Sequence, residues 1–134
     1  MTPHGYTTLK APHFKEHMEL LTVAVTAVEA AHGMPYRYGP SAQTLYATSG
    51  SASDWVYDVA GVKNSFSLEL RDRGRFGFLL PRTEIIPTSE ETWAGVSAVI
   101  SHLQAKEKNK GSKMTTTSTI TTTPTSSVNV TYSS

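Results

Sequence analysis

Asn64 to Leu70 (Asn-Ser-Phe-Ser-Leu-Glu-Leu) is the stretch that most limits what this chain can become, because it is the one clear strand signal. Phe66, Leu68 and Leu70 alternate with Ser65, Ser67 and Glu69, which is the period-2 pattern of a half-buried strand. A lone strand leaves its main-chain N–H and C=O groups without partners, and a sheet of one or two strands is not stable by itself. Tyr36-Arg37-Tyr38, closed by Gly39-Pro40, suits at most one further brief extended segment. The expected fold class is therefore α/β, with one or two strands that need neighbours to form a sheet.

Two helices flank that stretch. Between Phe14 and His32, Leu20, Leu21, Val23, Ala24, Ala27, Val28 and Ala31 recur at steps of three and four, and Gly33 stands where a left-handed C-terminal residue belongs. The apolar stripe is wide enough to predict packing on a sheet. A second helix is expected from about Thr88, with Thr88 or Ser89 as cap, Glu90 and Glu91 at its positive end, and Trp93, Val96, Val99, Ile100 and Leu103 facing inward. Ser53 is a candidate cap for a short helix through Asp54, Trp55, Val56 and Tyr57.

Composition changes after Leu103. From Ser112 to Ser134, 15 of 23 residues are Ser or Thr, so this segment has too few apolar groups to offset its ordering entropy and is expected to be disordered. With Pro124 and the acceptor triplet Asn129-Val130-Thr131, it resembles a glycosylated extracellular stalk. The chain divides into a folded part, 1–105, and a Thr/Ser-rich tail, 106–134. A formal charge of +1 gives no reason to expect nucleic acid or an anionic membrane surface as partner. No apolar run approaches the roughly 20 residues that span a bilayer, and Met1 to Tyr6 has no signal-peptide character. Absence of cysteine excludes disulfides, thiolate metal sites and a cysteine nucleophile.

Glu69 is the candidate chemical group. It sits at a strand end and runs into Arg71-Asp72-Arg73-Gly74-Arg75. From pattern alone a carboxylate so placed is either a structural ion-pair partner, the commoner case, or an acid mounted for proton transfer on rigid backbone.

Several separated motifs together carry a family resemblance. They are Tyr38-Gly39-Pro40, Leu45-Tyr46, Ser49-Gly50, Ser53-Asp54-Trp55, Phe66-Ser67-Leu68-Glu69-Leu70-Arg71-Asp72, Gly74-Arg75-Phe76-Gly77-Phe78, Ile86-Pro87-Thr88 and Glu91-Thr92-Trp93. In order and spacing they resemble the C-terminal third of the zinc metallocarboxypeptidases of the pancreatic A/B type, from Met1 to about Leu103. The resemblance implies a piece of a mixed-sheet fold with helices on both faces. It also implies secretion, zinc as cofactor, and peptide C-termini as substrate, with no nucleic-acid or membrane partner.

It further implies roles. Glu69 matches the glutamate that activates the zinc-bound water and returns a proton to the leaving amine. Tyr46 matches the mobile tyrosine that closes over the terminal carboxylate. Ser53 falls at the base of the pocket for the C-terminal side chain, where the family carries an aliphatic residue for apolar substrates or an acidic one for Lys and Arg. A neutral hydroxyl departs from both and argues against basic substrates, since no carboxylate would pair a buried cation. Met1, Gly5, Leu45 and Ser67 match other wall positions, while Arg71 and Arg75 are read as structural supports. Asp58 to Val62 is one residue longer than the family pattern, to be absorbed in a turn.

The family's zinc is held by a His-x-x-Glu pair and a later histidine, and by alignment all three fall outside this chain. His13-Phe14-Lys15-Glu16-His17 does contain His-x-x-Glu-His, yet Pro12 precedes it and no strand leads into it, so it is not taken as a metal site. The expectation is a fragment that is inactive alone and needs the remainder of its domain as structural partner. The alternative is a non-catalytic binding module with a mucin-like tail.

Overall fold

The computed structural model describes residues 1–116, with side chains described to residue 111. Among the described residues there are four helices, α1 (Phe14–His32), α2 (Ser41–Thr44), α3 (Ala52–Asp58) and α4 (Ile85–Thr116), with a 3-10 turn at Arg82–Glu84 leading into the last. Long loops connect them.

α1 has the expected bounds. Its C-cap Gly33 adopts φ 68°, ψ 13° and returns its N–H to Glu29 O at 2.8 Å, the left-handed ending that a side chain would strain. Its stripe lies on α4 rather than on a sheet, which corrects the expected packing. Leu20, Leu21 and Val28 are buried, and α4 approaches closely because residue 95 is glycine: a Cβ there would meet Val28 Cγ2 at 2.8 Å. Around this contact, Glu19 pairs with His102 (2.7 Å) and Lys106 (2.6 Å), and His32 with Glu90 (2.6 Å). These exposed pairs set register and each add little stability.

Three other expectations change. First, α4 begins at Ile85 after the 3-10 turn, so Thr88 lies inside the helix and its hydroxyl donates to Glu84 O at 2.6 Å instead of capping. Trp93 (70% exposed) faces outward, while Thr88, Glu91 and Gly95 face inward. Second, α4 continues to Thr116, past the expected boundary at residue 105. Gln104-Ala105-Lys106-Glu107-Lys108 are strong helix formers, and Lys106 is tied to Glu19, so the helix has no reason to stop there. The Thr/Ser-rich stretch from 117 and the Asn129 triplet lie outside the described residues. Third, Ser51, not Ser53, is the N-cap position of α3, and its hydroxyl makes no capping bond to the helix.

The strand is the largest correction. Among the described residues no strand forms, and the isolated parallel bridge Thr2↔Pro40 is the one pairing of that kind. Residues 64–70 run without regular structure. Their main-chain contact is with Met1: Met1 N donates to Ser67 O at 2.7 Å and Ser67 N donates to Met1 O at 3.1 Å. This mutual exchange is the bonding of directly opposite residues in an antiparallel pair, confined here to one position. Alternation fixes which side chains share a face, but a strand exists only where a neighbour completes the ladder.

His17, in the first turn of α1, is completely buried, edge-on to Tyr57 (centroids 5.4 Å) and Phe66 (5.5 Å). Its Nε2–H donates to Lys63 O at 2.7 Å, which leaves Nδ1 an unpartnered acceptor. Burial is the main reason its pKa lies below the usual histidine value, against the bond to Lys63 O. The unfolded chain then binds a proton that the folded chain refuses. Stability contributed by neutral His17 is present above the unfolded pKa near 6.5 and is lost as pH falls through the lowered folded value. Melting curves should show a drop in Tm on acidification below pH 6.5 that is smaller in His17→Gln; equal drops in both would count against this assignment.

Candidate functional site

Segment 67–73 forms one wall of an open cavity of about 650 Å³. Ser67, Leu68, Glu69, Leu70, Arg71, Asp72 and Arg73 line that wall; Met34 to Arg37, Thr44, Leu45 and Met1 complete it. Glu69 is exposed within it. The Met1 amino group, bonded to Ser67 O, is made more acidic by burial, and the Glu69 charge works against that shift.

Of the residues singled out in the sequence, the structure brings Leu45, Ser67 and Glu69 together on this cavity, with Met1 beside them. Ser53 stands behind Ser67. Its buried hydroxyl accepts from Ser67 Oγ at 3.0 Å and shares a hydrogen bond with Ser51 Oγ at 2.8 Å, while its carbonyl accepts from Ser65 Oγ at 2.9 Å. Gly5 is buried one step further away, where its N–H bonds the Asp54 carboxylate (2.9 Å to Oδ2). Tyr46 is 70% exposed, does not line the cavity and has no hydrogen-bond partner among the described residues.

Arg71 does not pair with Glu69. Its guanidinium forks onto the fully buried Glu91, with Nε to Oε2 at 3.1 Å and Nη2 to Oε1, and Nη1 reaches Glu84 Oε2 at 2.6 Å. These carboxylates, Glu91 first, raise its already high pKa, so it stays charged. Tyr36 OH adds a bond to Glu91 Oε2 at 3.4 Å, and burial followed by the Glu91 charge raises the Tyr36 pKa. This clamp ties the backbone two residues after Glu69 to α4. Asp72 organises the next turn by accepting from Gly74 N and Phe76 N, both at 2.8 Å. Arg75 lies over the Phe76 ring at 5.2 Å and, among the described residues, makes no ion pair with Glu69.

Asp54 was not singled out by sequence reasoning as a site residue. It is buried and takes the N–H of His4 (2.8 Å) and of Gly5, fastening the N-terminal loop to α3. An Asp in the first turn of a short helix after serines was the available signal, but it does not name a partner some fifty residues earlier.

The zinc implied by the resemblance finds no fit among the described residues. No three His, Asp or Glu side chains converge. In the His13–His17 stretch each side chain has one atom already committed, His13 Nδ1 to Tyr57 OH at 2.8 Å, Glu16 to Lys63 and His17 Nε2 to Lys63 O, and the free Nδ1 of His17 is buried.

The family model described as zinc carboxypeptidase matches residues 1–95. Carboxypeptidase A4 of Mus musculus is 46% identical over 104 residues, covering 78% of this chain and 24% of that protein. Carboxypeptidase A1 of Bos taurus is 46% identical over 100 residues, covering 75% of this chain and 24% of that protein. A solved structure of bovine thrombin-activatable fibrinolysis inhibitor, in complex with tick carboxypeptidase inhibitor, superposes with a TM-score of 0.75 at 36% identity. It covers 79% of this chain and 36% of that one. A second structure of thrombin-activatable fibrinolysis inhibitor gives a TM-score of 0.71 at 37% identity, over 75% of this chain and 25% of that one. The chain spans about a quarter of the length of the curated relatives it matches.

Proposed function

This chain belongs to the zinc carboxypeptidase family, and we propose from that premise that it forms the substrate-facing quarter of a secreted metallocarboxypeptidase acting on peptide C-termini. The observation that carries this reading is the shared wall: Leu45, Ser67 and Glu69 lie on one cavity large enough for a peptide terminus. Within it Glu69 is the proton-transfer carboxylate, exposed to solvent and to a bound peptide alike. Its backbone is steadied from behind by the Arg71 clamp on Glu84 and Glu91. Tyr46, without a hydrogen bond to the other described residues, is the residue able to swing toward a bound terminus. Leu45, Ser67, Ser53 and Gly5 belong to the pocket for the terminal side chain.

A bound zinc ion would supply the electrophile and the activated water in such an enzyme. Its ligands belong on residues outside those described, so the chain alone should bind peptides and not cleave them. The same domain remainder is the structural partner we assign to segment 64–70, whose Leu68 and Leu70 are 48% and 53% exposed. We assign residues 1–105 to the catalytic domain and 106–134 to an extracellular tail, with α4 running on past residue 105 into the start of that tail. Among the described residues, no helix is long and apolar enough to cross a membrane.

The test is a titration of the labelled chain with N-blocked peptides bearing either a free or an amidated C-terminus, followed by amide NMR shifts. Free-carboxylate peptides should move Leu45, Tyr46, Ser67 and Glu69; shifts confined to other surfaces would overturn the assignment. In parallel, no C-terminal residue should be released from blocked peptides. Release that disappears on Glu69→Gln would show that the chain is a complete enzyme.

A further inference from the structure

We propose that loop 73–79 is a cleavage site for a trypsin-like, arginine-specific endopeptidase. The cut falls after Arg73 or Arg75, and the nicked chain keeps its fold because the Arg71 clamp spans the cut.

Residues 73–79 are exposed in succession, the longest such run among the described residues, and they form neither helix nor strand. An endopeptidase reads several residues of extended chain, so a bond inside a helix or a buried segment must first unfold. Gly74 and Gly77 adopt positive φ (97° and 56°), and glycine leaves that region for an extended conformation without a steric penalty. Phe78 and Leu79 are exposed too, so no buried side chain resists the change.

The surroundings of the five arginines separate them. Arg37 is tied to Thr44 O at 2.9 Å. The Arg71 side chain is shielded and forks onto Glu91 and Glu84. Arg82 begins the 3-10 turn. Arg73 has no hydrogen bond or ion pair among the described residues, and Arg75 has the Phe76 ring as its contact. Both guanidiniums are therefore free to enter an acidic specificity pocket. In the cut, water breaks the C–N bond of Arg73–Gly74 or Arg75–Phe76. The carbonyl carbon takes the hydroxyl and the nitrogen the proton, which leaves a new carboxylate and a new amine.

Asp72 holds the loop closed. Its carboxylate accepts from Gly74 N and Phe76 N, both at 2.8 Å, and these are the two nitrogens that a cut would release. Arg71 precedes both bonds in the chain, while Glu84 and Glu91 follow them, so the clamp becomes a link between two pieces. α1 on the earlier piece also stays packed on α4 of the later one, where Gly95 meets Val28. Cleavage thus loosens the loop beside the cavity and leaves the wall bearing Glu69 in place.

The full chain would be treated with a trace of an arginine-specific endopeptidase, with intact mass and native size exclusion as readouts. The first cut should fall after Arg73 or Arg75, and Arg73→Gln/Arg75→Gln should abolish it. Asp72→Ala should be cut about tenfold faster, since losing two hydrogen bonds raises the open population that a protease reads. The nicked pieces should elute together, with the amide signals of Ser67 to Arg71 unmoved, and separate in denaturant. A first cut after Arg37, Arg71 or Arg82 overturns the site. Pieces that part without denaturant, or moved Ser67 to Arg71 signals, overturn the bridging role of the clamp. An unchanged rate in Asp72→Ala overturns the closing role of Asp72. Melting curves check that this variant folds; if it does not, Asp72→Asn, with one acceptor oxygen in place of two, carries that arm.

Discussion

Glu91→Ala will destabilise the protein by about 3 kcal/mol, the loss typical of breaking one side of a buried ion pair. Glu91 has no exposed surface, and the Arg71 side chain is 10% exposed. Arg71 donates to it twice and to Glu84 once, so deleting Glu91 strands a guanidinium that cannot deprotonate and keeps only Glu84. Tyr36 OH loses its acceptor at the same time. Chemical denaturation of Glu91→Ala, Arg71→Met and the double variant Arg71→Met/Glu91→Leu gives the check. The double variant should recover most of the loss, because no unpaired charge remains. If it is as unstable as the sum of the two singles, packing rather than the charge pair governs this site.

Gly95→Leu should be nearly as damaging, about 3 kcal/mol, at the upper end of what overpacking a close contact does. Even the first added carbon would sit 2.8 Å from Val28 Cγ2 and 3.4 Å from Ala24 O. Valine is stiff at χ1 and buried, so it cannot turn aside, and α1 and α4 must separate. Separation uncovers Leu20, Leu21 and Val28 together. Val28→Ala on the Gly95→Ala background should restore part of the stability by removing the clashing methyl. A melting temperature for Gly95→Leu equal to that of the parent would mean the helices are not held at this distance.

What could be read ahead of the structure follows from how local each signal is. α1 was legible from end to end, since periodicity and Gly33 are both properties of the segment itself. α4 was legible as a helix but not in its orientation. Trp93, Val96 and Ile100 look like a core face, yet Thr88, Glu91 and Gly95 point inward, because Arg71 gives Glu91 a partner and Gly95 gives α1 room. Neither reason lies within the helix. The period-2 segment 64–70 was read as a strand because alternation reports faces, whereas the ladder depends on neighbours; only the single exchange with Met1 forms. In the site, Leu45, Ser67 and Glu69 were named and do meet. Tyr46 was named too, but it sits outside the cavity. Asp54 was named only as part of a short helix and a motif, because its partners are backbone groups far earlier in the chain.

The Met1–Ser67 exchange has a kinetic consequence. It joins positions 66 apart, and the Ser67–Ser53 bond closes a loop of 14 on the same residue. Closing a long loop carries an entropic penalty before any contact rewards it, roughly 0.6 kcal/mol more for each doubling of length. Helix α1 can form from neighbours alone, while residue 67 must wait until three remote parts of the chain arrive together. The cavity wall that carries Glu69 is then the last part of the fold to assemble and the first to open, and amide exchange should be faster at Ser67 than in α1 or the part of α4 packed on it.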